Sequence, residues 1–130
     1  AAAVSDYTPV RPSRTKLKKR ASRLTLELKA TPDILKWAGR HKAESRATGR
    51  GTRILVGFAL EDRDLHANAE RKMQDKRLDM VVANTPAAIG AGSSTLHIKM
   101  PGSGWVRIRD AGKTAGARRI IKMIDSIPER

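Results

Sequence analysis

Lys72 and Lys76 are four positions apart in a stretch predicted to be helical, so their ammonium groups share a face. Asn68 extends that line one turn earlier, offset from the apolar series Leu65, Ala69 and Met73. Paired ammonium groups suit a polyphosphate, although with Glu70 and Asp75 nearby the same pattern also suits a solvated helix surface. Lys16, Lys18 and Lys19 form a second basic group. A lysine closing over a reacting phosphoryl or acyl-phosphate group stabilises charge that grows in the transition state; on an edge strand, lysines equally serve to discourage aggregation. Asp6, the first acid of the chain, can accept ribose hydroxyls or base donors, or start a turn. Phe58, the only phenylalanine, can pack in the core or face a nucleobase or ribose. His41, His66 and His97 fall in three unrelated elements without metal-ligand spacing, and the absence of cysteine excludes thiol nucleophiles and thiolate metal sites. The chemistry on offer is electrostatic and positional.

The balance of charge agrees with that reading. The 130-residue chain carries a formal net charge of +14, which calls for an anionic partner. Aromatic residues make up only 3%, too few to stack successive bases, so a long single-strand groove is not expected; a duplex-backbone nucleic-acid-binding module stays open as the alternative to a phosphorylated small ligand, as does an inactive paralogue scaffold. No apolar run approaches the roughly 18 residues of a membrane-spanning helix, so no membrane partner is expected and a cytoplasmic location is. Gly90-Ala91-Gly92 is a weak phosphate-loop candidate because no helix is predicted directly after it.

These residues need elements to position them. Ala1-Ala2-Ala3-Val4 reads as the tail of a buried strand, which makes the chain a fragment by expectation. Thr15–Lys18 and Leu24–Leu28 both alternate polar and apolar residues and predict a basic hairpin flap over about 14–29, turning at Arg20–Arg23. Thr31-Pro32-Asp33 is a helix start, Thr31 as cap and Pro32 at the first position. The helix should run to about Ser45, burying Ile34, Leu35 and Ala38 and part of Trp37. Ile54–Ala59 is a continuous apolar run, as expected of a strand covered on both faces. A helix opened by Asp64 and a second apolar strand, Met80–Ala83, complete a βαβ core over about 53–84. Thr95–Met100 and Trp105–Arg109 predict a second hairpin. A last helix, Lys113–Ser126, has Ala117, Ile120, Ile121 and Ile124 on its apolar side, so this hairpin-and-helix segment covers about 94–127. The organisation is α/β, and in such sheets ligands bind beyond the carboxyl ends of the strands, here Asp6, Phe58 to Asp62, and Asn84.

Ala2-Ala3-Val4-Ser5-Asp6-Tyr7, Lys16-Leu17-Lys18-Lys19 and Leu24–Leu28 followed by Thr31-Pro32-Asp33-Ile34-Leu35 resemble the ligase half of the bifunctional phosphopantothenoylcysteine decarboxylase/phosphopantothenate–cysteine ligase family. Val56-Gly57-Phe58-Ala59, Ala69-Glu70-Arg71-Lys72 and Leu78–Asn84 continue the series in order. The resemblance makes residues 1–130 the C-terminal part of a ligase domain, with a Rossmann-like, mostly parallel sheet, flanking helices, the flap and the second hairpin. It implies a ligase of coenzyme A biosynthesis that joins 4′-phosphopantothenate to L-cysteine through an acyl-cytidylate formed from CTP with Mg2+, working as a homodimer. FMN would belong to the fused decarboxylase part, outside this chain. By position Lys16 matches the flap lysine of the second half-reaction and, with Asp6, Pro32, Asp33, Ile34, Leu35, Phe58, Lys72 and Lys76, a nucleotide contact; Ala2 and Asn84 match substrate contacts. Two departures stand out. Phe58-Ala59-Leu60-Glu61-Asp62 replaces the usual Phe-Ala-Ala-Glu-Thr, and the loop Ile89–Ser94 lacks the usual Asp and Asn. The family's N-terminal ligase segment, with its Gly-rich loop, is not in this chain, so the fragment alone is expected to be inactive.

Overall fold

The computed structural model describes residues 5–18, 23–48 and 53–128. The chain divides into two compact units, residues 1–34 and 35–130.

In the first unit, β1 (Tyr7–Pro9) pairs antiparallel with β2 (Leu28–Ala30), Tyr7 opposite Ala30 and Pro9 opposite Leu28. The Val10 N–H donates to the Glu27 carbonyl at 2.9 Å and extends the pairing by one bond. The ladder lies elsewhere than the alternation suggests. Thr15–Lys18 forms no strand, residues 24–27 carry no ladder with it, and the expected turn falls largely at 19–22, outside the described residues. The reason is burial: every side chain over 11–18 and 23–30 is exposed, so no apolar face fixes a register between those two segments.

The second unit is built on a four-stranded sheet in the order β3 (Val56–Leu60), β4 (Met80–Asn84), β5 (Ser93–Lys99), β6 (Val106–Gly112). Among the described residues the sheet is mixed rather than mostly parallel: β3 and β4 are parallel, and the other two ladders are antiparallel. The parallel pair is joined by α2 (Leu65–Asp75), the βαβ crossover expected from the apolar runs. Alternation along the strands divides the core in two. Ala59, Val81 and Ala83 face α2, meeting Ala69 and Met73 together with Leu78. Met80, Val82 and Ile98 face the other way, towards α3 (Lys113–Asp125), where Ile120, Met123, Ile124 and Ile127 pack. The inward stripe of α3 is thus buried Gly116 with half-buried Ile120, Met123 and Ile124, whereas Ala117 and Ile121 are exposed. A Cβ at Gly116 would stand 3.1 Å from Leu96 Cδ1, so the helix approaches β5 closely there.

The remaining helix, α1 (Ile34–Ala47), is tied to the turn between α2 and β4. A Cβ at Gly39 would stand 2.0 Å from the Lys76 carbonyl oxygen, so only glycine permits that approach. Below it, Lys42 Nζ reaches Asp79 Oδ2 at 2.7 Å and donates to the Arg77 carbonyl at 3.0 Å. Leu35 packs against the α2-side core, but Ile34 and Trp37, expected to be wholly and partly buried, are 59% and 57% exposed. β3 is likewise covered on one face only. Gly57 and Ala59 are buried, while Phe58 and Leu60 are 59% and 50% exposed, so the strand is not the doubly covered one its apolar run suggests. No helix among the described residues is long and apolar enough to cross a membrane.

Candidate functional site

Each of the two units gathers some of the predicted residues. In the first, Asp6 and the Pro32-Asp33 segment lie 26 residues apart in sequence and are brought together by the β1–β2 register. Thr31 N–H donates to the Asp6 carbonyl at 2.9 Å, and its hydroxyl donates to the Ser5 carbonyl at 2.5 Å. Thr31 therefore fastens the end of β2 to the start of β1, a role different from the helix cap expected of it. The Asp6 carboxylate, Pro32 and Asp33 all remain exposed beside that fastening. Lys16 is exposed in the extended segment between the strands, and Ala2 lies outside the described residues.

In the second unit the convergence occurs at the carboxyl ends of β3 and β4. Leu60 pairs with Asn84, and the Glu61 N–H donates to the Asn84 carbonyl at 3.0 Å, closing the parallel ladder there. Helical side chains lean towards the N-terminus of their helix. α2 runs antiparallel to β3, so Lys72 leans towards this edge, where its Nζ donates to the Phe58 carbonyl at 2.5 Å. Lys72 thus reaches the backbone of Phe58, the middle residue of β3, while Asn84 ends the neighbouring strand β4 opposite Leu60. Lys76 caps the end of α2 (φ −104°), its N–H bonded to the Lys72 carbonyl. Both lysines have further interactions in the folded chain.

The loop between β3 and α2 is held by a network that the sequence pattern does not reveal. Asn68 Nδ2 donates to Glu61 Oε2 and to the Arg63 carbonyl, both at 3.1 Å, while Asn68 Oδ1 accepts from Arg71 Nη2 at 2.7 Å. Asn68 stands in line with Lys72, yet it serves to fix the acidic loop beside Phe58. Asp64 enters the helix at φ 48° without a side-chain cap bond, a left-handed conformation that Asp tolerates better than most residues.

The histidines are the larger departure. His66 in the first turn of α2 and His97 on β5 do not stay apart: His66 Nε2 lies 2.8 Å from His97 Nδ1. The His66 ring stacks on Trp105 at 4.2 Å between centroids. Trp105 Nε1 donates to Glu70 Oε1 at 2.8 Å, and Lys99 Nζ lies 3.3 Å from the same oxygen. These bonds from Trp105 and Lys99 hold the Glu70 carboxyl below its ordinary range. Desolvation, then the nearby His66 and Arg107 charges, push the His97 imidazole below the ordinary 6.5. His41 is engaged elsewhere, its Nδ1 3.2 Å from the Trp37 carbonyl.

A cavity of about 580 Å³ opens at the other end of β4, lined among others by Lys42, Asp79, Met100, Ser103 and Ile127. It lies beyond the amino end of the strand, the end opposite Asn84.

With that geometry established, comparison with known proteins is direct: residues 1–127 match the family described as DNA/pantothenate metabolism flavoprotein, C-terminal domain. The chain belongs to that family. Members similar to it include the coenzyme A biosynthesis bifunctional protein CoaBC of Bacillus subtilis (strain 168), 46% identical over 91 residues, which are 70% of this chain and 20% of that protein. A protein named cysteine/cysteine sulfinic acid decarboxylase, from an unknown prokaryotic organism, is 39% identical over 92 residues, 71% of this chain and 24% of its own length. Among solved structures, the C-terminal domain of CoaBC superposes with a TM-score of 0.69 at 27% identity, covering 95% of this chain and 50% of that one. The chain therefore spans about a fifth to a quarter of the curated family members it matches, and half of the matched C-terminal domain. Family membership makes it a C-terminal domain of the pantothenate metabolism flavoprotein kind, similar to a part of proteins named for coenzyme A biosynthesis.

Proposed function

We propose that this chain is the C-terminal part of a CTP-dependent phosphopantothenate–cysteine ligase, and that it supplies nucleotide contacts to a site completed elsewhere in the parent protein. The observation that carries this reading is the bond from Lys72 to the Phe58 carbonyl on β3, in a chain whose family is one of pantothenate metabolism. In the first half-reaction a carboxylate oxygen of 4′-phosphopantothenate attacks the α-phosphorus of CTP, expelling pyrophosphate and leaving the acyl-cytidylate. In the second, the amine of L-cysteine attacks the acyl carbon, CMP departs, and the amine proton is lost to form the amide. Both steps build negative charge on phosphate oxygens, which is where lysine ammonium groups help most.

Lys72 and Lys76 take the polyphosphate in this reading, and Lys16 serves the second half-reaction. The exposed Phe58 ring offers a face to the nucleotide. Asp6 accepts from ribose or base, and the fastened Pro32-Asp33-Ile34-Leu35 segment reads the base through its backbone; Asn84, with Ala2, meets phosphopantothenate. Mg2+ arrives as the nucleotide complex in this reading. FMN belongs to the flavoprotein half of the parent, and a homodimer and a cytoplasmic location complete the reading.

The test uses the parent protein. Lys72→Met should weaken CTP–Mg2+ binding about tenfold or more by calorimetry, as expected for loss of one charge-assisted contact of about 1.5–3 kcal/mol. Unchanged CTP affinity in Lys72→Met would remove that lysine from the site.

A further inference from the structure

The His66–His97 pair belongs to none of the roles above, and its geometry is that of a chelate. We propose that His66 Nε2 and His97 Nδ1 together bind a borderline divalent transition-metal cation, with Cu2+ held more tightly than Zn2+.

The two nitrogens are 2.8 Å apart, so one ring supplies an N–H and the other a lone pair. A cation that displaces this shared proton receives a lone pair from each ring. Metal–imidazole bonds of about 2.0–2.1 Å at angles of about 90–110° place two such nitrogens roughly 2.9–3.4 Å apart. The pair therefore needs to open by no more than about half an ångström, a small movement for a side chain in an exposed helical turn.

The rings are also held in place. His66 stacks on Trp105 with an interplanar angle of 16°, and Trp105 is fixed through its indole N–H to Glu70. His97 sits on β5 between its partners Ala83 and Arg107, so its backbone is locked by two ladders. The charged groups around the pair are Glu70, already engaged by Lys99, and Arg107. Imidazole favours Cu2+, Ni2+ and Zn2+, while Mg2+ and Ca2+ prefer oxygen. Water completes the coordination, since no group of three or more His, Asp or Glu side chains is assembled there among the described residues. A bound cation would cross-link the first turn of α2 to β5 beside Ala83, the residue before Asn84.

The proposal is tested on the full chain with Cu2+ and Zn2+ as probes. Titration should show one saturable site, and Cu2+ electron paramagnetic resonance should show superhyperfine splitting from two nitrogens. Thermal melting should rise with Cu2+ or Zn2+ and not with Mg2+, because a ligand that binds only the native state stabilises it. His97→Ala and His66→Ala should each weaken Zn2+ binding by about tenfold or more, since even loss of an outer-shell partner costs that much, while His41→Ala should leave it unchanged. Absence of a saturable site, a single-nitrogen spectrum, or equal binding in folded His97→Ala would overturn it. The nitrogen count on the unsubstituted chain decides the matter even if a variant fails to fold.

Discussion

Replacing Lys42 by methionine removes the cation of an ion pair that the fold has taken almost wholly out of water. The side chains of Lys42 and Asp79 are 6% and 14% exposed, and their charged atoms stand 2.7 Å apart. At that distance and an effective dielectric of about 20, the attraction is about 6 kcal/mol, most of which offsets the desolvation of the two ions. The variant keeps the desolvation of Asp79 and loses the attraction; it also leaves the Arg77 carbonyl without the lysine donor. Breaking a buried pair this way costs about 3–5 kcal/mol. Asp79 retains the Leu55 N–H at 2.7 Å and a further interaction, which places the expectation near the lower end, about 3 kcal/mol. For a domain of this size that corresponds to a fall in Tm of roughly 12 °C or more. Urea and thermal unfolding followed by circular dichroism would measure it, with the unfolding slope unchanged if only stability has moved. Lys42→Met combined with Asp79→Asn should regain about 1–2 kcal/mol, since the amide carbonyl still accepts from Leu55 and no lone charge stays buried. A loss below about 1 kcal/mol for Lys42→Met would refute the reasoning, because that is the scale of a solvated surface pair.

Gly39→Ala should destabilise the chain by about 1–3 kcal/mol or more in the same melts, as its Cβ would meet a backbone carbonyl that cannot swing aside. The pH dependence follows from His97 and Glu70. The His97 imidazole titrates lower in the folded chain than its ordinary 6.5, so the unfolded chain binds the proton first and stability falls as pH drops from that value through the lower folded one. Glu70, lowered from 4.5 by Trp105 and Lys99, contributes stability above that value that disappears as pH falls through its folded range. Melting curves from pH 7.5 to 4 should thus decline in two stages, and His97→Gln should remove the upper one; a profile flat down to pH 5 would contradict the first.

What the sequence made legible was set by burial. Met80–Ala83 is uniformly apolar because both its faces are covered, and it is the strand observed, Met80–Asn84. The every-fourth-residue series Leu65, Ala69, Met73 lies on the buried side of α2 for the same reason. Where burial is absent the pattern misleads. The alternation in Thr15–Lys18 and Leu24–Leu28 has no apolar face opposite it, and the pairing passes instead to Tyr7–Pro9 and Leu28–Ala30. Phe58 and Leu60 look like core in sequence but stand open on an outer strand of the sheet. The meeting of His66 and His97 leaves no trace in spacing, since it depends on where the first turn of α2 sits against the sheet and on the β4–β5 register. The Lys72 contact was legible only in part. Periodicity gave its face, and the lean of a helical side chain towards Phe58 required the direction of α2 against β3.

The central claim is that this chain serves a cytidylate-forming ligase, and the most direct measurement is pyrophosphate release by the parent protein. With 4′-phosphopantothenate present and cysteine withheld, CTP–Mg2+ should yield pyrophosphate in a burst that matches the enzyme concentration. Release should need phosphopantothenate, and ATP should substitute poorly. Pyrophosphate release independent of phosphopantothenate, or ATP used as readily as CTP, would contradict the account.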